Sequence, residues 1–212
     1  MNADPGYFGP NSMMWKINKE ITVLFGGARA LLMHAAHPLI AAGARQTSFY
    51  QRDPWKRLIR TLSLQNSVTF GTKEEAKESA NRINKLHELI KGKDEITGGI
   101  YDALDQEQLL WVHGCLQVSS IYFYEKTVKK LSKSEKDQYH KENMIVAQMV
   151  LMNINTMPQT HDELKNWIID NKLSINSCGK IIVPTETYLD EQLDVLAERG
   201  TKNGAKVEYL DE

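Results

Sequence analysis

The segment Leu31–Ala44 is the most apolar stretch of the chain, and it restricts the fold more than any other feature. Within it only His34 and His37 are polar. A helix of this composition is hydrophobic nearly all round, so it should lie inside the fold. Its small residues leave room for another backbone or a flat ligand. Because Pro38 lacks an N–H, the helix should kink or end just after His37. We therefore predict a kinked, buried central helix that carries histidines.

Length and charge limit what this helix can belong to. The chain has 212 residues, which suits a single domain with a sizeable core. Its 26 Lys and Arg nearly balance its 27 Asp and Glu, so no net field draws it to nucleic acid or to an anionic membrane. We expect no nucleic-acid partner.

Cysteine content and apolar runs bear on the cellular compartment. The chain has two cysteines, Cys115 and Cys178, which argues against a disulfide framework and for a reducing compartment. We expect both thiols to be buried or idle. No basic region followed by an apolar run opens the chain, and the longest apolar run is shorter than the about 20 residues of a membrane span. We expect a cytoplasmic protein with no transmembrane segment.

Helix start signals recur along the chain and predict an all-α protein. They are Asp53 with Pro54, Thr72 with Glu75, Asp105, Ser132 with Glu135, and Thr160 with Glu163. The most distinct helix runs over Lys73–Lys91, with Gly92 at the C′ position. A short extended segment, Lys180–Val183, precedes a possible last helix between Thr185 and Gly200. About six or seven helices, hardly any sheet and no internal repeat indicate one helical domain.

The chain divides into three parts. Residues 1–12 are rich in Gly, Pro, Asn and Asp and predict an irregular arm. Residues 13–175 form the helical domain, which opens with a loosely amphipathic segment. Gly26 and Gly27 mark a bend or a close contact there, before the central helix runs from Ala28 towards His37. Residues 176–212 form a divergent C-terminal segment.

Two histidines fall on the buried faces of predicted helices. His87 continues a stripe made of Ala76, Ala80, Ile83 and Ile90. His113 shares a face with Leu109, Leu116, Ser120 and Tyr124. A histidine in such a place either bonds to a backbone carbonyl or acts as a metal ligand, for example the proximal ligand of haem iron. Spacing alone leaves both interpretations open.

The helix after Pro54 has a basic face. Arg57, Arg60 and Thr61 stand at positions i, i+3 and i+4, so their side chains project the same way. This face is either a solvated surface or a site for carboxylate or phosphate, which arginine binds with its planar fork. The spacing does not decide between them.

Signatures of other enzyme classes are missing. The sequence has no G-x-G-x-x-G, G-x-x-x-x-G-K-[ST], H-E-x-x-H, C-x-x-C or G-x-S-x-G. The nearest approach to a carboxylate and histidine metal pattern is His161-Asp162-Glu163, which helix capping explains better.

Six motifs follow one another in order: GGARALLMHAAHPLIAAG, DPWKRLIRT, FGTKEEA, His87 with Gly92 five residues on, YDALDQEQLLWVHGCL, and Met157-Pro158. Together they resemble the MpaB and rubber-oxygenase family, which includes the latex clearing proteins, over roughly residues 15–170. The resemblance implies a helical, globin-like core. In the latex clearing branch this core holds haem b and uses dioxygen to cleave carbon–carbon double bonds of polyisoprene.

The resemblance also implies roles for single residues. His87 matches the proximal iron ligand. Arg57, Arg60 and Thr61 match the family's R-x-x-K-T segment on the distal side, with Arg60 in place of the lysine. Lysine can lose its proton and ligate iron, whereas arginine stays protonated, so Arg60 is expected to polarise dioxygen or to pair with a propionate. A closed, lysine-ligated resting state is not expected.

His37 and His113 lie in other family motifs and are expected to line the cofactor pocket or to act as hydrogen-bond partners in it. The expected function is haem b-dependent oxygenation of an apolar, isoprenoid-like substrate with dioxygen. One alternative is a helical binding or structural protein without haem. Another is a non-haem metal oxidoreductase using His34, His37 or His113, although no Asp or Glu accompanies these residues at ligand spacing. Metal analysis and dioxygen uptake distinguish the three.

Overall fold

The computed structural model describes residues 6–46, 54–95, 98–170, 173–174 and 181–182, with the backbone only for residues 54–58, 61, 173–174 and 181–182. Within these ranges the chain forms eight α-helices and one short 3₁₀ helix, Ile21–Val23. The α-helices are α1 (Met13–Asn18), α2 (Leu24–Ala36), α3 (Pro38–Gln46), α4 (Pro54–Phe70), α5 (Lys73–His87), α6 (Gln106–Thr127), α7 (Lys133–Met149) and α8 (His161–Asp170).

Sheet is limited, within the described residues, to two short antiparallel pairs. Strand β1 (Lys91–Lys93) pairs with β2 (Ile100–Asp102), and Gly92 lies opposite Tyr101. Strand β3 (Leu173–Ser174) pairs with β4 (Ile181–Ile182), which falls inside the extended segment predicted at 180–183. The all-α class is therefore confirmed. The globin-like arrangement implied by the resemblance stays a prediction.

Helices α2 and α6 pack together at the centre of the core. Gly26 makes this close approach possible, because a Cβ atom there would lie 3.0 Å from the backbone carbonyl of Ser119. Arg29 Nη1 donates a hydrogen bond to Ser119 Oγ at 2.8 Å, and Trp111 Nε1 donates to the carbonyl of Met33 at 3.4 Å. The close contact predicted at the glycine pair is confirmed at Gly26. Other fully buried core residues are Met14, Ile17, Ala30, Val68, Cys115 and Leu164.

The predicted kink of the central helix is a complete break. Helix α2 ends at Ala36, His37 is extended (φ −80°, ψ 119°), and α3 begins at Pro38. The segments on the two sides of His37 are bent by 100°. Burial is one-sided: Met33 and His34 are buried, whereas Leu32 is 38% exposed. The start also differs from the prediction, because α2 begins at Leu24 and contains both glycines, which a helix tolerates where another backbone packs against it.

Helix α5 ends four residues earlier than predicted, at His87, with Glu88 as its C-cap. Gly92 is therefore not a C′ glycine but a residue of β1. The hairpin overrides the helix pattern here, because the amide of Ala103 donates to the Ile90 carbonyl at 2.9 Å and anchors the chain beyond the helix. Gly92 suits this strand since a Cβ there would meet the hydroxyl of Tyr101 at 2.6 Å.

The predicted capping signals are confirmed where the structure describes them. Thr72 with Glu75 and Ser132 with Glu135 form reciprocal capping boxes. Asp105 accepts a hydrogen bond from the amide of Gln108 at 3.0 Å. The amide of Glu163 likewise donates to Thr160 Oγ1 at 3.2 Å. Helix α4 begins at Pro54 as predicted.

Several sequence predictions lie outside the described residues. They concern the Asp53 cap, the Cys178 thiol and the possible helix between Thr185 and Gly200.

No single helix in the described ranges is long and apolar enough to cross a membrane. The segments Ile21–Ala36 and Pro38–Gln46 together have the length and composition for it, but only as a bent pair.

Candidate active site

A cavity of about 720 Å³ lies between α3, α4, α5, α6 and the β1–β2 hairpin. Its volume falls within the range of about 300–1,000 Å³ that is usual for pockets that bind small molecules or cofactors. Most of its wall is apolar, including Leu39, Ile40, Leu64, Ile83, Leu86 and Leu109. Such a wall favours a large hydrophobic ligand.

Two arginines line the same cavity. Arg60 comes from α4 and Arg82 from α5, and both side chains are exposed, so the cavity reaches solvent beside them. No Asp or Glu is found among the described residues of the wall. The mouth of the cavity is therefore positively charged, while its interior is apolar. An amphiphilic ligand with negative groups at one edge fits this distribution of charge.

Arg82 is held by hydrogen bonds that join α4 and α5. Its Nη2 donates to Ser79 Oγ at 3.2 Å, and Ser79 Oγ donates to Ser67 Oγ at 3.0 Å. Ser79 is buried and lines the cavity together with Arg82. One N–H of the guanidinium is thus used to fix its position at the mouth.

His87 is the last residue of α5 and is half-buried. It lines the large cavity and also a second cavity of about 140 Å³, so its ring lies in the wall between them. Its Nδ1 atom is buried. An imidazole at the end of a well-capped helix, facing an apolar chamber, is a suitable ligand for a metal centre.

The smaller cavity has a more polar character at its far end. His113, Gln117, Ser120, Tyr139 and Asn143 line it, and all of them come from α6 and α7. Burial raises the pKa of Tyr139 to about 12. Its phenol therefore stays protonated at neutral pH and donates to Asn18 Oδ1 at 3.1 Å.

His113 is buried in this smaller cavity. Burial lowers its pKa to about 4, the nearby His140 imidazole adds to the effect, and the Asn143 backbone opposes it. Its Nε2 atom is buried and makes no hydrogen bond to any residue in the described part of the chain. The ring is therefore neutral at pH 7 and has one nitrogen facing buried space.

His140 forms a hydrogen-bonded link behind the same cavity. Its Nε2 lies 2.8 Å from the Pro158 carbonyl, which can only accept, so Nε2 carries the proton. Its Nδ1 then accepts from Gln117 Nε2 at 2.8 Å. Burial lowers the pKa of His140 and keeps this arrangement neutral. The proline of the Met157-Pro158 motif is thus tied to a wall residue of the small cavity.

The hairpin is fixed against α3 on the other side of the large cavity. Arg45 Nη2 pairs with Asp94 Oδ1 at 2.6 Å, and the carboxylate is only 4% exposed. Gly43 allows α3 to approach, because a Cβ there would already lie 3.2 Å from Ile90 Cγ2 and 3.4 Å from Tyr101 Cδ2. These contacts hold Ile90 and Tyr101 in the wall of the cavity.

Comparison with protein families matches residues 15–176 to the family described as ER-bound oxygenase mpaB/B′/Rubber oxygenase, catalytic domain. This match covers most of the chain. The chain belongs to the MpaB and rubber-oxygenase family. No curated protein and no solved structure gave a significant match. The family resemblance seen in the six sequence motifs is thus confirmed. The family is an oxygenase catalytic domain, so the class of protein is confirmed as well.

The family motifs contribute unequally to the two cavities. His87 and Arg60 both line the large cavity, and His113 joins His87 in the small one. Arg57 and Thr61 belong to α4, but their side chains lie outside the described part of the structure. The roles predicted for these five residues therefore stay predictions, three of them with a position in a cavity wall.

His37 is placed elsewhere. Its ring packs against Trp111 with centroids 5.5 Å apart, and its Nδ1 accepts from the Ile40 amide at 3.4 Å. It is not among the residues that line either cavity. Burial lowers its pKa to about 4. The structure therefore supports a part for His37 in the break between α2 and α3, and a part in cofactor binding stays a prediction.

Arg82 is not among the site residues predicted from the sequence. A pattern does include it, because Ser79, Arg82 and Leu86 follow one another at spacings of three and four, beside the stripe that contains Ile83 and His87. Both rows line the large cavity in the structure. A charged residue next to an apolar stripe usually indicates the solvated side of a helix, which is why the pattern alone was not informative.

Among the residues that the structure describes, no three His, Cys, Asp or Glu side chains come together in a way that could hold a metal ion. His34 faces α6 instead, with its Nε2 3.1 Å from the carbonyl of Val112.

Proposed function

We propose that this member of the family is a haem b-dependent oxygenase that acts with dioxygen on an apolar, isoprenoid-like substrate. The observation that supports the proposal most strongly is the large cavity, which combines an apolar wall, one histidine and two arginines. A cytoplasmic location, expected from the cysteine content, remains part of the proposal.

The residues present fit haem in three respects. The cavity, at about 720 Å³, has the size of a cofactor pocket. His87 offers an imidazole, the usual proximal ligand of haem iron, at the end of a capped helix. The positive mouth complements a cofactor that is apolar except for carboxylates at one edge. Haem iron, when bound, supplies the dioxygen chemistry, and the protein supplies binding, orientation and electrostatics.

Arg60 is the residue of the chain to which we assign an electrostatic role. Its guanidinium is positively charged, and it lies in the wall of the cavity that also contains His87. A positive charge at this wall would stabilise negative charge that develops during the reaction, and electrostatic stabilisation of this kind is often the largest catalytic contribution. Arg57 and Thr61 are proposed to assist from the same helix. The aliphatic wall would hold the hydrocarbon substrate and exclude water.

The reaction can be tested by isotope labelling. Protein reconstituted with haemin is incubated with squalene, as an apolar isoprenoid, under ¹⁸O₂. Cleavage of a C=C bond by one dioxygen gives two carbonyl groups, each with one labelled oxygen, and we expect products of that mass. Arg60→Gln should lower the rate by about a hundredfold, because it removes one stabilising charge. The control is Lys85→Gln, which also removes one positive charge but does so at an exposed residue of α5 outside both cavities.

Reconstituted protein that binds haemin, takes up no dioxygen and yields no labelled carbonyls with squalene or other apolar polyenes would contradict the proposed reaction. The haem-free binding protein is the outcome in which the cavity takes an apolar ligand without haem. A non-haem metal enzyme is the outcome in which activity follows an added metal ion.

A further inference from the structure

Arg82 is a charged residue in the mostly apolar wall of the large cavity. The described wall residues include two arginines and no acid. Arg82 also forms no ion pair with any carboxylate that the structure describes. A charge placed beside an apolar chamber, and fixed there, has an evident use only when a ligand brings the opposite charge.

The Arg82 side chain is held by a hydrogen bond that is itself linked to a neighbouring helix. The hydrogen bonds from Arg82 to Ser79 and from Ser79 to Ser67 connect it to two helices. Since only one of its five N–H donors is used by Ser79, the planar fork retains donors for a carboxylate. Holding the guanidinium in place lowers the entropy lost on binding, which strengthens the interaction.

The position of Arg82 relative to His87 adds a geometric constraint. Both residues lie on α5, five residues apart, and both line the large cavity. A helix rises about 1.5 Å per residue, so the two are separated by about 7.5 Å along its axis. A ligand bound through His87 would therefore have its charged edge directed along α5 towards the mouth.

We infer that Arg82 is a carboxylate anchor, which orients the ligand of the large cavity with its acidic edge at the mouth and its apolar body inside. This inference rests on the proposed function where the carboxylates are those of haem. The same chemistry would anchor an apolar carboxylic acid if the cavity holds such a ligand instead. Arg60 then keeps the electrostatic role in the reaction that is proposed above.

The test compares acids with their esters, because esterification removes the negative charge and leaves the apolar body. Haemin and haemin dimethyl ester are titrated into the protein and followed by absorbance, and cis-parinaric acid and its methyl ester are followed by fluorescence. We expect the protein to prefer an acid over its ester by about tenfold or more, the range of a hydrogen bond to a charged group. Arg82→Gln should remove most of this preference, and Arg82→Lys should retain part of it.

The control is Lys85→Gln, which removes one exposed positive charge from the same helix outside both cavities and should leave the preference unchanged. Ser79→Ala should give an intermediate loss, because the guanidinium keeps its charge but loses its support. Thermal unfolding of each variant checks that its fold is intact.

The two possible sources give different results. An Arg82-dependent preference for haemin supports the anchor and the proposed function together. If haemin does not bind but cis-parinaric acid shows the preference, the anchor stands and the haem assignment fails. The anchor is overturned if Arg82→Gln leaves the preference for both acids unchanged, or if the wild-type protein binds neither acid better than its ester.

Discussion

The buried histidines are the residues whose chemistry depends most on the fold. His37, His113 and His161 all have pKa values lowered to about 4, and in each case burial is the largest cause. His113 and His161 are also each left with a buried ring nitrogen that has no hydrogen-bond partner in the described part of the chain. At pH 7 these rings are neutral, so the interior tolerates them without ion pairs.

This burial predicts a loss of stability in weak acid. The pKa of His113 is 6.5 when exposed and about 4 when folded, so the unfolded chain binds the proton first. The free energy of unfolding is therefore undiminished by His113 above pH 6.5, and it decreases as the pH falls from 6.5 towards 4. For His113 alone the loss between pH 7 and pH 5 is about 2 kcal/mol. Urea unfolding at the two pH values measures it.

The variant His113→Gln separates this effect from other titrations, because glutamine stays neutral at both pH values. Its free energy of unfolding should change less between pH 7 and pH 5 than that of the wild type, by about 2 kcal/mol. An equal change in both proteins would show that His113 is not buried and neutral in the folded state.

At the scale of the elements, the contact between α2 and α6 is so close that it leaves no space for a side chain at Gly26. An alanine Cβ at Gly26 would lie 3.0 Å from both the carbonyl carbon and the carbonyl oxygen of Ser119, and this backbone cannot rotate away. Alanine would gain about 1 kcal/mol in helix propensity, but overpacking usually costs about 1–3 kcal/mol. We expect Gly26→Ala to lower the free energy of unfolding by about 1 kcal/mol.

Denaturant unfolding checks this value, and Gly9→Ala is the control, because no described atom outside its immediate neighbours lies within 4 Å of a Cβ added there. The control should change stability by less than about 0.5 kcal/mol. A Gly26→Ala protein that is more stable than the wild type would show that the two helices can move apart.

The helix starts could be predicted from the sequence because capping is local. The box of Thr72 and Glu75 and that of Ser132 and Glu135 each depend on residues three apart, and both form as predicted. The end of α5 could not be predicted in this way. It depends on the hydrogen bond from the Ala103 amide to the Ile90 carbonyl, which joins residues far apart in sequence. Tertiary contacts of this kind override a local glycine signal.

For the whole molecule, the sequence motifs identified the family, but they did not show how its residues divide between two cavities. His87 was found because it continues an apolar stripe, and His113 because it shares a face with leucines. Arg82 was missed because its place at the mouth depends on Ser67 of the neighbouring helix. Residues from four helices and a hairpin line the large cavity. Local periodicity describes one helix at a time, so it cannot show which residues of different helices lie close together.

His87 is the residue on which the proposed haem site depends above all, as the ligand that the large cavity offers to haem. The most direct test is the visible absorption spectrum of the protein reconstituted with haemin, beside that of His87→Ala. We predict a Soret band in the wild type that is lost or clearly shifted in the variant, and that added imidazole restores in part. The control His161→Gln, which changes a buried histidine outside both cavities, should keep the wild-type spectrum. A folded wild-type protein without a Soret band would contradict the proposed haem site, and a band identical in His87→Ala would contradict His87 as its ligand.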